Sequence, residues 1–440
     1  MAGFLGGIHP KYNKVTRKKA IEIAPMPKKV IIPLQQHIGA PCEALVKVGD
    51  EVKIGQKIAE SKGFVSAPIH ASISGKVTGI AKMPHPVLNE CNAIIIEADG
   101  KISWDGSVKK RENIEKLTKD ELKNIIKEAG IVGLGGAAFP THVKLSPPKE
   151  KPIDVVILNG AECEPYLTCD HRIMLEEVEK VIKGFQIIIR VLEPKESYIG
   201  IEENKEDAIS KFEKKLKEME LSEKIKIVKL ETIYPQGAEK NLIYSITKRK
   251  VPSSGGLPMD VGVVVQNVQT AKAIYDAVYE GKPLIERVIT ITGAVKEPKN
   301  LLVKVGASVK EIIEHCKGYD GAVGKLISGG PMMGIAQSTD DMPIIKGSSG
   351  VLVQRESDVC SGEERDCIRC GKCVDVCPMN LMPTLISQYA KKDDIDTANE
   401  HFALDCYECG CCSYICPSKI PLVHWIKYAK GELMKRKKKK

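Results

Sequence analysis

Apolar and polar positions in this chain follow two rhythms in succession. Between residues 30 and 100 the apolar positions come as short alternations broken by glycines, as in VKVGDEVKIGQKIAE (46–60) and SAPIHASISGKVTGI (66–80). That spacing predicts short strands joined by tight turns. From 115 to 280 the pattern alternates between helical and strand periods. Residues 118–129 (TKDELKNIIKEA) predict a helix: Thr118 and Glu121 fit a capping box, and Leu122, Ile125 and Ile126 share one face. The apolar run 153–158 predicts a strand buried in a parallel sheet. Residues 176–192 read as helical and then strand-like, 196–201 as a short strand, and 203–220 as a charged helix. The longest apolar runs, FQIII (185–189) and VGVVV (261–265), fall far short of the roughly 20 residues of a membrane span.

At 440 residues the chain is long enough for about three domains. Its 43% hydrophobic and 28% charged content excludes a disordered chain. Cysteine is the unusual feature of the composition. Ten of the fifteen fall within residues 360–416. The N-terminus lacks the basic start and apolar core of a signal peptide, so a cytoplasmic location is expected and metal ligation explains the cluster better than disulfides.

Residues 367–378 (CIRCGKCVDVCP) and 406–417 (CYECGCCSYICP) both fit C-x2-C-x2-C-x3-C-P. Three thiolates at that spacing wrap three corners of a 4Fe–4S cube, and the fourth reaches the other cube. The motif therefore assigns Cys367, Cys370, Cys373 and Cys416 to a first cluster. Cys406, Cys409, Cys412 and Cys377 go to a second. Zinc is the competing reading, disfavoured because structural zinc sites use paired C-x2-C units. Cys360 and Cys411 stand outside the register and read as spare thiols. Clusters of this kind pass single electrons, so a partner chemistry must lie upstream.

Upstream, GIVGLGGAAFPTHVK (130–144) places four glycines in a loop that can bring backbone amides close to a phosphate or ring. It follows a helix, unlike a Rossmann fingerprint, and no GK[ST] makes it a P-loop. The strand at 153–158 runs into NGAECEP (159–165), placing Asn159, Glu162 and Glu164 where open α/β sheets bind ligands.

These motifs together resemble a family. GxxGxGGAxFPTxxK, NxxExEP and YPQGAE (234–239) are similar to the NADH- and FMN-binding subunit of respiratory complex I. More closely, GGIHPKYNK (6–14), NGAECEPYLTCDHR (159–172), YPQGAEKNLI (234–243), PSSGGLPMDVGVVVQNV (252–268), SGGPMMG (328–334) and the paired cysteine motifs resemble the RnfC family of Rnf ion-translocating ferredoxin:NAD+ oxidoreductases. The resemblance implies that Gly133, Gly135, Gly136 and Lys144 hold FMN. It implies that Asn159, Glu162 and Glu164 line the isoalloxazine and nicotinamide face, with Tyr234, Gly237 and Glu239 from the later motif. Phe139 is a further stacking candidate. Ala161 and Ala238 depart from complex I, which has carboxylates at both positions.

The implied architecture is multidomain α/β and α+β. It comprises an N-terminal barrel-sandwich hybrid (1–110), a complex I-like NADH/FMN α/β domain (111–284), an SLBB-like β-grasp module (285–350), a two-cluster ferredoxin-like domain (351–422), and a helix with a basic tail (423–440). Lys62 sits where lipoyl domains carry their modified lysine, but ESKGF lacks the modification motif, so a docking or structural role is expected.

The implied function is an electron-transfer subunit joining NAD(H), through FMN, to two 4Fe–4S clusters. The implied partners are other Rnf proteins, including a ferredoxin-like B subunit and integral membrane subunits, with the chain peripheral on the cytoplasmic face of the membrane. A flavin-free iron–sulfur adaptor and a soluble corrinoid- or proline-reductase-associated reductase are the alternatives. The formal charge of +9 fits this picture, because six basic residues lie at 435–440. Two oxidised cubes at roughly −2 each bring the loaded chain to about +5. The basic end suits an anionic membrane surface, and with aromatics at 5% nucleic acid is not an expected partner.

Overall fold

The structure is a computed structural model that describes residues 2–359 and 362–439. Cys360, one of the two spare thiols, lies outside the described residues. Residues 29–98 form two small antiparallel sheets. One orders Lys29–Pro33, Asn89–Ala98, Gly75–His85 and Glu51–Val52; the other Cys42–Ala44, Lys57–Ser61 and Ile69–His70. Val30, Ile32, Ile58, Ile94 and Ile96 close the space between them. The alternating pattern thus becomes the expected barrel-sandwich. Lys62 is exposed and ion-paired with Glu43.

The middle of the chain is a four-stranded parallel sheet, ordered Lys226–Leu230, Glu196–Glu202, Val155–Gly160, Val263–Asn267. The capped helix is observed at Lys119–Glu128, with both halves of the capping box made. One expectation fails. Residues 178–192 are a single helix, including the FQIII run read as a strand. Val181, Ile182, Phe185 and Ile188 form one inward face of this helix. The period shows over the whole of 178–192, and a run as short as FQIII does not carry it. Gly184 lets this helix meet Val268–Tyr279, since a Cβ there would lie 1.8 Å from the Ala271 carbonyl oxygen.

A six-stranded mixed sheet follows, ordered Ile21–Ile23, Lys299–Lys304, Glu286–Gly293, Gly350–Arg355, Val323–Ser328, Ile335–Gln337. Its edge strand comes from the N-terminal segment, which stands outside the barrel. The two cysteine motifs fold into short turns and helices enclosed by Pro383–Lys391, Ile395–Glu400 and Leu422–Lys439. Among the described residues, no helix is long and apolar enough to cross a membrane.

Candidate functional site

The parallel sheet reverses its strand order between Val155–Gly160 and Val263–Asn267, and ligands of open α/β sheets bind outside the carboxyl ends at such a point. There Asn159 and Asn267 stand in register on neighbouring strands. The Asn159 amide donates to the Gly237 carbonyl at 2.9 Å and accepts from the Ala161 amide at 3.0 Å. Lys144 Nζ lies 2.6 Å from Glu239 Oε1 and 3.1 Å from the Val265 carbonyl. Gly135 rests on Asn267, where a Cβ would come within 2.8 Å of Nδ2, and Gly136 has open space beside it. Gly133 donates to the Phe139 carbonyl at 2.8 Å.

Seven sequence-predicted residues, Gly133, Gly135, Gly136, Lys144, Asn159, Gly237 and Glu239, thus meet around one crevice. Sequence reasoning passed over Gln266, Asn267, Thr270 and Arg287. Thr270 and Arg287 hold the two ends of the Leu134 peptide, at 2.9 Å and 3.1 Å. A usable signal was present: the apolar run VGVVV ends in Gln266–Asn267. The crevice suits a phosphate-bearing flavin. Among the described residues, Gln266 Nε2 at the strand end and Thr141 Oγ1 after the glycine loop are buried without a partner, and the backbone at Gly136 is open.

The remaining three predicted residues turn away from the crevice. Glu162 is buried and accepts from the amides of Asp170 (2.9 Å) and His171 (3.2 Å), holding the start of the helix Cys169–Glu176. Glu164 accepts from the amides of Met332 (2.6 Å) and Met333 (3.2 Å), fixing the SGGPMMG turn. Burial raises the pKa of both carboxyls. The fully buried Tyr234 faces Glu164, and its hydroxyl donates to the Cys409 carbonyl at 2.7 Å. Burial holds its phenol far above the ordinary range.

The two cysteine motifs repeat in backbone as well as in sequence. Positive φ recurs at Arg369 and Glu408, at Gly371 and Gly410, and at Asn380 and Lys419, each pair 39 residues apart. Equivalent amides point at sulfur: Arg369 to Cys367 at 3.4 Å, and Glu408 to Cys406 at 3.3 Å. Cys373 has Cys416 as its sulfur neighbour, and both pack with Cys367 and Cys412. Cys406, Cys409 and Cys377 surround Cys412. Burial, with these thiols close by, pushes Cys406 up to about 12. An all-sulfur donor set in this repeated spacing fits a cluster that takes the sulfurs as thiolates. Cys411 is buried against Tyr234 and Cys409, while Cys370 is exposed.

Comparison with known proteins agrees with this geometry. Four family models match: the RnfC barrel sandwich hybrid domain over residues 2–101, the Nuo51 FMN-binding domain over 126–276, the SLBB domain over 288–336 and the 4Fe-4S dicluster domain over 366–420. A relative in Clostridium ljungdahlii, the C subunit of its proton-translocating ferredoxin:NAD(+) oxidoreductase complex, is 54% identical, over 98% of this chain and 94% of its own. The chain belongs to the RnfC family. Another member, the C subunit of the Na(+)-translocating ferredoxin:NAD(+) oxidoreductase complex of Acetobacterium woodii, is 45% identical over 99% of this chain and 98% of its own. Among solved structures, an NAD+-reducing NiFe hydrogenase in its H2-reduced state shares the fold of this RnfC family member. The TM-score is 0.51 at 16% identity, covering 72% of this chain and 63% of that one.

Proposed function

We propose that this chain is the subunit through which an Rnf complex exchanges electrons between NAD(H) and its other subunits. FMN, when bound, exchanges a hydride with NAD(H) and passes electrons singly, and the two 4Fe–4S clusters carry them one at a time. Lys144 would meet the flavin phosphate or its electron-rich edge as a point charge. Gly133, Gly135 and Gly136 offer close backbone approach, and Asn159, Gly237 and Glu239 complete the crevice. Glu162 and Glu164 shape its nicotinamide side by pinning the two turns that border it. Cys367, Cys370, Cys373 and Cys416 would hold one cluster, and Cys406, Cys409, Cys412 and Cys377 the other.

The observation that carries this reading is the buried hydrogen bond from Tyr234, three residues before Gly237, to the backbone of Cys409. It joins the flavin loop directly to the second quartet. In this reading that quartet is the one nearer the crevice, and the first, with exposed Cys370, forms the outlet toward the rest of the complex. The partners there are a ferredoxin-like B subunit and integral membrane subunits, with the basic C-terminal helix positioned for the anionic cytoplasmic face of the membrane.

The test is anaerobic reconstitution with iron, sulfide and FMN, followed by NADH. Bleaching of a flavin band, and then of the cluster absorbance, is expected. A sample that takes up iron but no flavin would leave only the adaptor reading.

A further inference from the structure

The GGIHPKYNK segment contributes no residue to the crevice or to either quartet, yet it touches both the 234–239 loop and the turn that carries Cys377. Gly7 donates to the Val376 carbonyl at 2.9 Å, next to the ligand Cys377. One residue later, Ile8 and Tyr234 exchange both backbone hydrogen bonds, at 2.8 and 2.9 Å. The fit allows no side chain at either glycine. A Cβ on Gly6 would lie 3.0 Å from the Cys377 carbonyl carbon and oxygen, and one on Gly7 would lie 2.8 Å from the Tyr234 carbonyl oxygen. Both have φ near +80° (+82° and +83°), where an L side chain is strained.

Ile8 is buried in one apolar cluster with Cys163, Tyr234, Cys409 and Cys411. The far end is anchored by Lys14, whose buried ammonium donates to the carbonyls of Glu162 (2.8 Å), Glu164 (3.0 Å) and Leu167 (2.5 Å).

We propose that residues 6–14 are a molecular spacer. They fix the 234–239 loop against the Cys377 turn and so set how fast electrons cross between the flavin crevice and the second quartet. This rests on the electron-transfer reading above and adds positioning residues to it, Gly6, Gly7 and Lys14. One electron crosses per event, with no bond made or broken. The rate of such a step falls as the two centres are moved apart, so a displaced loop slows it.

The experiment uses the full chain loaded with FMN and both clusters, and compares wild type with Gly7→Ala. In stopped flow with NADH, the flavin band should bleach at the wild-type rate, and the cluster band severalfold more slowly. Deuterium exchange at the Gly7 and Ile8 amides should accelerate, with iron and flavin content unchanged. Clusters that bleach as fast as the wild type's, in a variant whose exchange shows the segment displaced, overturn the spacer. If Gly7→Ala does not load its clusters, Gly6→Ala is judged by the same two readouts. A wild-type flavin that NADH does not bleach counts against the electron-transfer reading instead, and is distinguishable because no variant is involved.

Discussion

The Tyr234 hydroxyl donates a 2.7 Å hydrogen bond to the backbone carbonyl of Cys409, and both residues are buried. Tyr234→Phe keeps the ring and strands the carbonyl, which costs about 1–3 kcal/mol. A loss of unfolding free energy of that size, read from the denaturant midpoint and slope, is expected, together with slower cluster bleaching after flavin reduction in stopped flow. Wild-type stability in the variant would show that the carbonyl finds another partner.

The sulfur neighbours make a sharper forecast for the crossed ligand sets. Cys377 lies beside Cys409 and, more weakly, Cys373, and Cys416 lies beside Cys373. Cys377→Ser should weaken the paramagnetic signal of the cluster held by Cys406, Cys409 and Cys412, and Cys416→Ser that of the other. Loss from Cys377→Ser of only the cluster bound by Cys367, Cys370 and Cys373 would reverse the assignment.

Lys144 is partly exposed and already paired with Glu239 at 2.6 Å. Removing the cation by Lys144→Met takes a charge-assisted contact from the flavin. Such contacts contribute about 1.5–3 kcal/mol, so FMN affinity should drop roughly tenfold to a hundredfold. Quenching of flavin fluorescence on titration measures it. The cysteine quartets lie elsewhere, so iron content should not change.

His37 gives the barrel an acid limb. Its Nε2 accepts from the Ala67 amide at 3.0 Å, which requires the neutral ring. Burial, followed by the charge of Lys346, lowers its pKa to about 4. The folded pKa lies below the unfolded value of 6.5. The unfolded chain therefore binds the proton first, and stability present above pH 6.5 is lost as pH falls toward 4. Across that window the loss is about 3 kcal/mol. Denaturant midpoints at stepped pH should show it, and His37→Gln should flatten the slope.

Local signals were legible in the sequence where one segment decides its own structure. The Thr118–Glu121 box, the buried strand before Asn159 and the doubled cysteine motif each involve neighbours in the chain. The reading of 185–189 failed because five residues are too few to show a period, whereas 178–192 taken whole carries a helical apolar face. Glu162 and Glu164 were visible as carboxylates near a strand end. Their partners, the amides of Asp170, His171, Met332 and Met333, depend on how distant turns come together. Arg287 and Lys14 were silent for the same reason: a cation aimed at carbonyls leaves no spacing in the sequence.

The N-terminal segment also dictates when the molecule can be finished. Its partners are Leu230, Tyr234, Asn300 and Val376. During synthesis the first residues to emerge are among the last to find a place, waiting for nearly the whole chain. Contacts of such long sequence separation form slowly. Until then the edge of Lys299–Lys304 that will pair with Ile21–Ile23 stays uncovered, an unpaired strand edge open to neighbouring chains. The contact of Gly7 with Val376 is the last of these to become possible, so a ribosome-released fragment lacking the cysteine region would leave the beginning of the chain without its full set of partners.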